Sequence, residues 1–139
     1  MIPRARPAPG RSLRAVRVAA AAWAVLIAAL LWSSGPEVPT PWTWLGTWLG
    51  AAEEAGGDKL VHVLLFGVQA WLLCRVRPGA PSAGWLAACL GATVAYGGLT
   101  EAVQAALGGR DAELADLWAD AVGAAAAVVA FGWRRRPPR

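Results

Sequence analysis

Three short groups of ionisable and amide side chains occur with helical spacing in an otherwise apolar chain: Asp58-Lys59-x-x-His62, Glu101-x-x-Gln104 and Asp116-x-x-x-Asp120. Residues three or four apart lie on one face of a helix, so each group would present its side chains together. Histidine and carboxylates are suited to general acid–base catalysis, and charged side chains bind polar ligands through charge-assisted hydrogen bonds. Arg110 lies between the second and third groups and adds a cation.

Most of these residues also have a plain structural interpretation. Asp58 suits a helix N-terminus, Lys59 can extend towards lipid head groups, and Asp111 and Glu113 are typical of a solvated loop. Glu101 differs, because apolar residues surround it and an ionisable group at the centre of a membrane helix costs ~2.5–3.5 kcal/mol. It must face a polar interior or be protonated. The sequence therefore predicts a buried polar pocket.

Four apolar segments must position these groups: 18–32, 60–76, 85–107 and 114–133. The 139-residue chain is 57% hydrophobic and only 16% charged, whereas soluble domains carry about a quarter charged residues. We therefore predict an all-α integral membrane bundle of four transmembrane helices. The first segment is short for a span and has a basic flank, as a signal peptide does. An uncleaved helix is favoured, because no small-x-small cleavage site follows it directly.

The predicted organisation is a single membrane domain between two basic tails. Residues 1–17, rich in Pro, Ala and Arg, are expected to form a disordered cytoplasmic tail. Residues 18–133 form the four-helix membrane domain, and residues 134–139 form a second basic cytoplasmic tail. The length leaves no room for a second domain.

The distribution of basic residues predicts the orientation. With the N-terminus inside, eleven of the 13 Lys and Arg residues are cytoplasmic, and only Lys59 and Arg110 are outside. This bias predicts a multi-pass protein of the cell membrane with both termini cytoplasmic and the polar groups towards the outer side. It also accounts for the net charge of +4 without a nucleic-acid partner, because the basic residues flank apolar segments.

The segment between the first and second apolar runs carries Trp42, Trp44 and Trp48. Tryptophan prefers the interface between membrane and water, where its ring is buried and its N–H is hydrated. We therefore predict a short helix or turn over 42–52 that lies on the outer surface. A lid over the polar pocket is the alternative.

Two cysteines and one histidine limit the metal chemistry that the sequence suggests. Cys74 and Cys89 fall near the cytoplasmic ends of their segments, where a reducing environment disfavours a disulfide. They are expected to be small packing residues. A zinc or iron–sulfur site of ordinary ligation needs several Cys or His ligands, so the sequence predicts no metal and no other cofactor.

In order along the chain, the motifs DKLVH, LTEAVQ, Arg110 and LADLWADAVGA resemble the VanZ-like membrane family. The family pattern is an Asp-Lys-x-x-His followed by a Phe, a Glu-x-x-Gln, an Arg and an Asp-x-x-x-Asn-x-x-Gly. The matching residues are Asp58, Lys59, His62, Phe66, Glu101, Gln104, Arg110, Asp116 and Gly123. Asp120 departs from the pattern, since the family has Asn there. The resemblance covers about 58–123 and implies a small multi-helix membrane protein of a family linked to teicoplanin resistance.

Two functional classes fit these residues. In the first, an outward-facing pocket binds or modulates a cell-envelope component, as in glycopeptide-antibiotic tolerance. In the second, a membrane-embedded enzyme modifies an envelope lipid or polymer, with His62 and Glu101 as the catalytic candidates. A proton-coupled carrier ranks below both, because the inner half offers only Gln69, Thr93 and Tyr96 as polar residues.

The expected partners are the lipid bilayer and either a lipid-linked envelope precursor or a glycopeptide. Lys59 and Arg110 are expected to contact phosphate or carboxylate groups of this ligand. The full set of predicted ligand-binding residues is Asp58, Lys59, His62, Glu101, Gln104, Arg110, Asp116 and Asp120.

Overall fold

The computed structural model describes residues 9–32, 57–107 and 113–135, and each regular element within these ranges is an α-helix. The four helices are α1 (Pro9–Trp32), α2 (Asp58–Arg75), α3 (Ala83–Leu107) and α4 (Leu114–Arg134). The prediction of an all-helical chain is confirmed for this part of the molecule. Three helices, namely α1 from Ser12 onwards, α3 and α4, are long and apolar enough to cross a membrane.

Helix α2 differs from the other three in length and charge. It has 18 residues and is charged at both ends, so its uncharged part is residues 60–74. At 1.5 Å per residue this part is ~22 Å long, which is shorter than the ~30 Å hydrocarbon core of a bilayer. Its exposed side nevertheless carries Leu60, Leu64 and Val68, which are spaced four apart. α2 therefore combines an apolar surface with charged ends.

Helix α1 begins at Pro9, so residues 9–17, which the sequence assigns to a disordered tail, are helical. Proline is favoured at the first position of a helix, and the Arg, Leu and Ala residues that follow have high helix propensity. The Nε of Arg17 donates a hydrogen bond to the backbone carbonyl of Val76 (3.3 Å), which ties this extension to the end of α2. Three predicted features lie outside the described residues: the tail residues 1–8 and 136–139 and the tryptophan segment 42–52.

The helices alternate in direction along the bundle. α1 and α3 finish together, since the side-chain amide of Gln104 donates a hydrogen bond to the backbone carbonyl of Leu31 (3.0 Å). α2 and α4 begin together, since Lys59 Nζ and Glu113 Oε2 are 2.7 Å apart. We call the end at which α2 and α4 begin the acidic end, and the end at which they finish the basic end.

Towards the basic end, α2, α3 and α4 enclose a set of buried apolar side chains, the apolar cluster: Ala70, Cys74, Cys89, Ala124, Val128 and Phe131. The ring of Phe131 meets that of Trp71 edge to face, with centroids 5.3 Å apart. Both cysteines are free and buried here, which confirms their expected role as packing residues. Close packing of these side chains joins the three helices.

Helix α1 packs on this three-helix unit through a second apolar set: Ile27, Leu31, Leu65 and Phe66. Two aromatic side chains reinforce the contact by bonding to backbone carbonyls of the facing helix. Trp23 Nε1 donates to the carbonyl of Leu65 (2.9 Å), and the hydroxyl of Tyr96 donates to that of Ala24 (2.6 Å). These bonds satisfy polar groups that would otherwise be costly in an apolar bundle.

The backbones of α2 and α4 approach each other closely at two glycines. A Cβ at Gly123 would lie 2.8 Å from the carbonyl carbon of Val63 and closer still to its oxygen. A Cβ at Gly67 would lie 3.3 Å from the carbonyl oxygen of Gly123. Small residues allow such contact between helices. Gly123 therefore admits α2 as a close neighbour of α4.

Candidate functional site

His62 of α2 and Asp120 of α4 form a buried pair. His62 is 3% exposed and Asp120 is fully buried. The Nδ1 of His62 lies 2.8 Å from Asp120 Oδ1, and because a carboxylate only accepts, Nδ1 is the donor. The close helix contact at Gly123, one turn from Asp120, brings the two side chains within reach.

Asp120 also reaches α3, because a glycine leaves room for its carboxylate. A Cβ at Gly97 would lie 2.5 Å from Asp120 Oδ2, so any larger residue would displace this oxygen. A Cβ at Gly91 or Gly98, two other glycines of α3, would meet nothing within 4 Å. Gly97 is therefore the glycine of α3 that shapes the site.

The second ring nitrogen of His62 faces a different carboxylate. His62 Nε2 lies 3.9 Å from Asp116 Oδ2. One turn along α2, the buried ring of Phe66 lies nearly parallel to the imidazole, with an interplanar angle of 8° and centroids 6.1 Å apart. Asp120 and Phe66 thus fix the orientation of the ring and leave Nε2 directed towards Asp116.

Lys59 lies among three carboxylates where α2 and α4 begin. Its Nζ is 2.8 Å from Asp58 Oδ2, 2.7 Å from Glu113 Oε2 and 2.6 Å from Asp116 Oδ1. Hydrogen bonds to these three carboxylates, that to Asp116 foremost, hold the pKa of Lys59 above its ordinary value. An ammonium group has three donors, and here three carboxylates engage it. The ammonium of Lys59 is thus paired with carboxylates of the protein, and its expected contact with an anionic ligand stays a prediction.

Glu101 connects α3 to the start of α4. It is only 7% exposed, and its Oε2 accepts a hydrogen bond from the backbone N–H of Glu113 (3.1 Å). Glu113 is the N-cap of α4 and has no side-chain capping bond, so Glu101 supplies a carboxylate where the helix dipole favours negative charge. The other oxygen, Oε1, has no hydrogen-bond partner among the described residues.

Among the described residues, two groups of three side chains have ligand atoms that lie within 4.8 Å of one another. They are His62, Glu101 and Asp116, and Asp58, Glu113 and Asp116. The second group already surrounds the ammonium of Lys59. The first group is wholly buried, and within the described ranges it is the one left to receive a cation or a polar ligand group.

Among the residues that the structure describes, the acidic end carries more negative than positive charge. We call the seven side chains involved the polar cluster: Asp58, Lys59, His62, Glu101, Glu113, Asp116 and Asp120. Buried charges are costly unless they are paired, and the buried carboxylates of Glu101, Asp116 and Asp120 outnumber His62, the buried base beside them. Protons or a bound cation would relieve this surplus. The cluster is therefore suited to proton transfer and to ligands that bring positive charge or hydrogen-bond donors.

The structure brings together six of the eight predicted ligand-binding residues: Asp58, Lys59, His62, Glu101, Asp116 and Asp120. Gln104 is buried but donates its amide to Leu31 of α1, so it bounds the cluster on that side. Arg110 lies outside the described residues.

The sequence did not predict the role of Glu113. Its side chain pairs with Lys59 and its backbone N–H binds Glu101, so it joins both halves of the cluster. One signal could have found it: Glu113 directly precedes the fourth apolar segment, at the end of the bundle to which Lys59 was also assigned. Opposite charges at the same depth are expected to pair.

Comparisons of the chain with protein-family models, curated proteins and solved structures find no match. The resemblance to the VanZ-like family therefore stays a prediction, and function must be argued from the polar cluster.

Proposed function

We propose that this chain is a VanZ-like multi-pass protein of the cell membrane whose polar cluster faces outward and binds or modulates a cell-envelope component. The observation that carries the proposal is the buried cluster itself. His62, Glu101 and Asp116 come from three helices and meet inside an otherwise apolar bundle. Ionisable groups in such surroundings are costly and are typical of functional sites.

The pattern of exposure supports α2 as a fourth span. Leu60, Leu64 and Val68 form an exposed apolar stripe along it, and Leu114, Trp118 and Val122 form a similar stripe along α4. Large exposed apolar surfaces are favourable in lipid and unfavourable in water. The charged ends of α2 would then lie near the two head-group regions, where a short helix is accommodated by local thinning of the bilayer.

The charges at the two ends support the orientation. Arg75 and Arg134 occupy the last turns of α2 and α4, whereas Asp58 and Asp116 occupy their first turns. Basic residues favour the cytoplasmic side. Reporter fusions at Gly79 and Gly108 test this: the first is expected inside and the second outside, and a translocated Gly79 would contradict the proposal.

The chemistry of the cluster narrows the ligand. Because Lys59 is engaged by carboxylates, the pocket favours ammonium or hydroxyl groups over phosphate. Glycopeptides and amino-sugar units of lipid-linked precursors carry such groups. Arg110 remains the candidate for contacting an anionic part of the ligand.

One observation favours an enzyme as the second candidate function. The hydrogen bond from His62 Nδ1 to Asp120 leaves Nε2 beside Asp116, which is the arrangement of a general base oriented by a carboxylate. In this alternative the substrate is an envelope lipid or polymer, and His62 transfers the proton.

Conservative variants distinguish the two functions. Glu101→Gln and His62→Asn are compared with the wild type for glycopeptide susceptibility and for envelope-lipid composition. A binding protein predicts lost tolerance with unchanged lipids, whereas an enzyme predicts that a modified lipid disappears in both variants. Thr93→Val is the matched control, since Thr93 is buried on α3 outside the polar cluster. Wild-type behaviour of both site variants in every assay would refute the proposal.

A further inference from the structure

We infer that His62, Glu101 and Asp116 form a binding site for a divalent transition-metal cation, with Asp120 as the residue that orients His62. The sequence predicted no metal because it offers one histidine and two cysteines. Carboxylates from α3 and α4 supply the other two ligands. The site shares residues with the proposed pocket, but its existence does not depend on an envelope ligand.

The distances between the ligand atoms suit one ion. Zinc binds nitrogen and carboxylate oxygen at about 2.0–2.2 Å, so two ligand atoms of one ion are at most about 4.4 Å apart. His62 Nε2 and Asp116 Oδ2 are 3.9 Å apart. All three ligand atoms lie within 4.8 Å of one another, so a small contraction of the side chains brings them around a single cation.

The surroundings of His62 are those of a metal ligand. A histidine that binds metal through one nitrogen usually donates the other N–H to a carboxylate, which fixes its tautomer and orientation. His62 Nδ1 makes this bond to Asp120 Oδ1 at 2.8 Å. In the neutral tautomer with its proton on Nδ1, Nε2 is the nitrogen that can bind a cation, and it lies 3.9 Å from Asp116 Oδ2. Phe66 holds the ring from one side.

The unpartnered oxygen of Glu101 points independently to a ligand. Buried polar atoms are nearly always hydrogen-bonded, yet Glu101 Oε1 has no such partner among the described residues. The residue is 7% exposed, and its other oxygen is held by the N–H of Glu113. A carboxylate oxygen of Glu101 belongs to the group that includes His62 and Asp116. A cation there would satisfy the buried carboxylate.

The charge of the cluster favours a dication. Lys59 engages Asp116 through Oδ1 and leaves Oδ2 on the side of His62. A dication bound there would balance the carboxylates that Lys59 does not neutralise. The mixed nitrogen and oxygen ligands suit zinc and its neighbours better than magnesium or calcium, which prefer oxygen alone. Three protein ligands leave a position for water or for an oxygen of the pocket's ligand.

The test uses the full chain, purified in detergent, stripped with a chelator and reloaded with Zn²⁺ alone. Metal content after desalting is measured by mass spectrometry, and affinity by competition with a chromophoric chelator. We expect one zinc per chain in the wild type. Glu101→Gln and Asp116→Asn should each weaken binding by more than about 100-fold. Asp120→Asn should weaken it by about tenfold, because it alters only the orienting partner.

Thr93→Val is the matched control, because it removes a buried polar group of α3 that lies outside the polar cluster. It should retain one zinc with wild-type affinity. Absence of stoichiometric zinc in the reloaded wild type would overturn the inference, as would unchanged affinity in folded Glu101→Gln and Asp116→Asn. Helical circular dichroism and monodisperse elution identify the folded variants.

The same variants separate this inference from the proposed function. If Glu101→Gln loses zinc while glycopeptide susceptibility and envelope lipids stay as in the wild type, the metal site stands and the proposed function fails. If tolerance is lost but the wild type binds no zinc, the metal site fails and the pocket stands. A Co²⁺-loaded wild type should also show visible absorption bands that Asp116→Asn lacks.

Discussion

The two ends of the α2–α3–α4 unit are built from the same three helices but are filled in opposite ways. Towards the basic end, the apolar cluster packs small and aromatic side chains. Towards the acidic end, the same helices bury His62, Glu101, Asp116 and Asp120. Apolar packing holds helices together without specific partners, whereas buried charges are stable only in matched sets. The basic end therefore provides stability, and the acidic end is where we propose that chemistry or binding takes place.

The two ends are joined where α2 and α4 touch. Gly123 lies between Asp120 of the polar cluster and Ala124 of the apolar cluster. The largest effect is therefore expected from Gly123→Leu, because the added side chain would collide with the backbone of Val63 and separate the helices at both ends. We expect the free energy of unfolding to fall by about 3 kcal/mol or more, which is the top of the ~1–3 kcal/mol range for overpacking. Thermal unfolding in detergent measures this change.

Gly91→Leu is the matched control, since a Cβ at Gly91 meets nothing within 4 Å. It should unfold at the wild-type temperature. If Gly123→Leu unfolds like Gly91→Leu, the helix contact that joins the two ends is not as described.

Phe131→Ala tests the basic end alone. It removes a buried ring that packs against Trp71 and leaves a cavity in the apolar cluster. We expect the free energy of unfolding to fall by about 3 kcal/mol, the lower end of the range for Phe→Ala changes. The lower end applies because the unfolded chain stays in apolar surroundings in a micelle. Zinc affinity should be unchanged. A variant that loses zinc while it remains folded would contradict the division between the two ends.

Val129→Ala is the control for this change. Val129 lies two residues away on α4 and is 66% exposed, so its truncation should alter the unfolding free energy by no more than about 0.5 kcal/mol.

The helices were largely predictable from the sequence, because each apolar segment ends at charged or turn residues. The end of α3 at Leu107 and the start of α4 at Leu114 agree with the predicted segments. The start of α1 was not predictable in this way, since the helix extends into an arginine-rich segment that hydropathy assigns to a tail. There, helix propensity and continuity outweigh polarity.

The site was predictable as a set of residues but not as a set of contacts. A spacing of four residues places Asp58 and His62 on one face of α2. However, Asp58 bonds to Lys59, and His62 bonds across to Asp120. Which partner a side chain meets depends on how each helix is rotated, and Gly97 and Gly123 determine this through close contacts. The rotation of each helix could not be predicted from one sequence, because it depends on these tertiary contacts.

Asp120→Ala tests the pairing at the acidic end. It leaves the Nδ1–H of His62 without its acceptor in a fully buried position. An unsatisfied buried donor costs about 1–3 kcal/mol, and we expect a loss of that size in thermal unfolding. Asp120→Asn should restore most of the stability, because the amide oxygen can accept the same bond. Equal stability of the two variants would show that the hydrogen bond to His62 is not what Asp120 contributes.

The smallest effect is expected for Lys59→Met, which leaves Asp58, Glu113 and Asp116 facing one another without their ammonium. The Lys59 side chain is 36% exposed, so solvent screens these ion pairs and the loss should be about 1 kcal/mol at low salt. Added salt should reduce the difference from the wild type, because screening weakens both the attraction that was lost and the repulsion that replaced it. Phe131→Ala should lose the same free energy of unfolding, relative to the wild type, at every salt concentration. Unfolding curves at two ionic strengths therefore distinguish an end that is stabilised by charge from one that is stabilised by apolar packing. Because methionine keeps an apolar side chain of similar length, a deficit for Lys59→Met that does not depend on salt would contradict the assignment of this contact to charge.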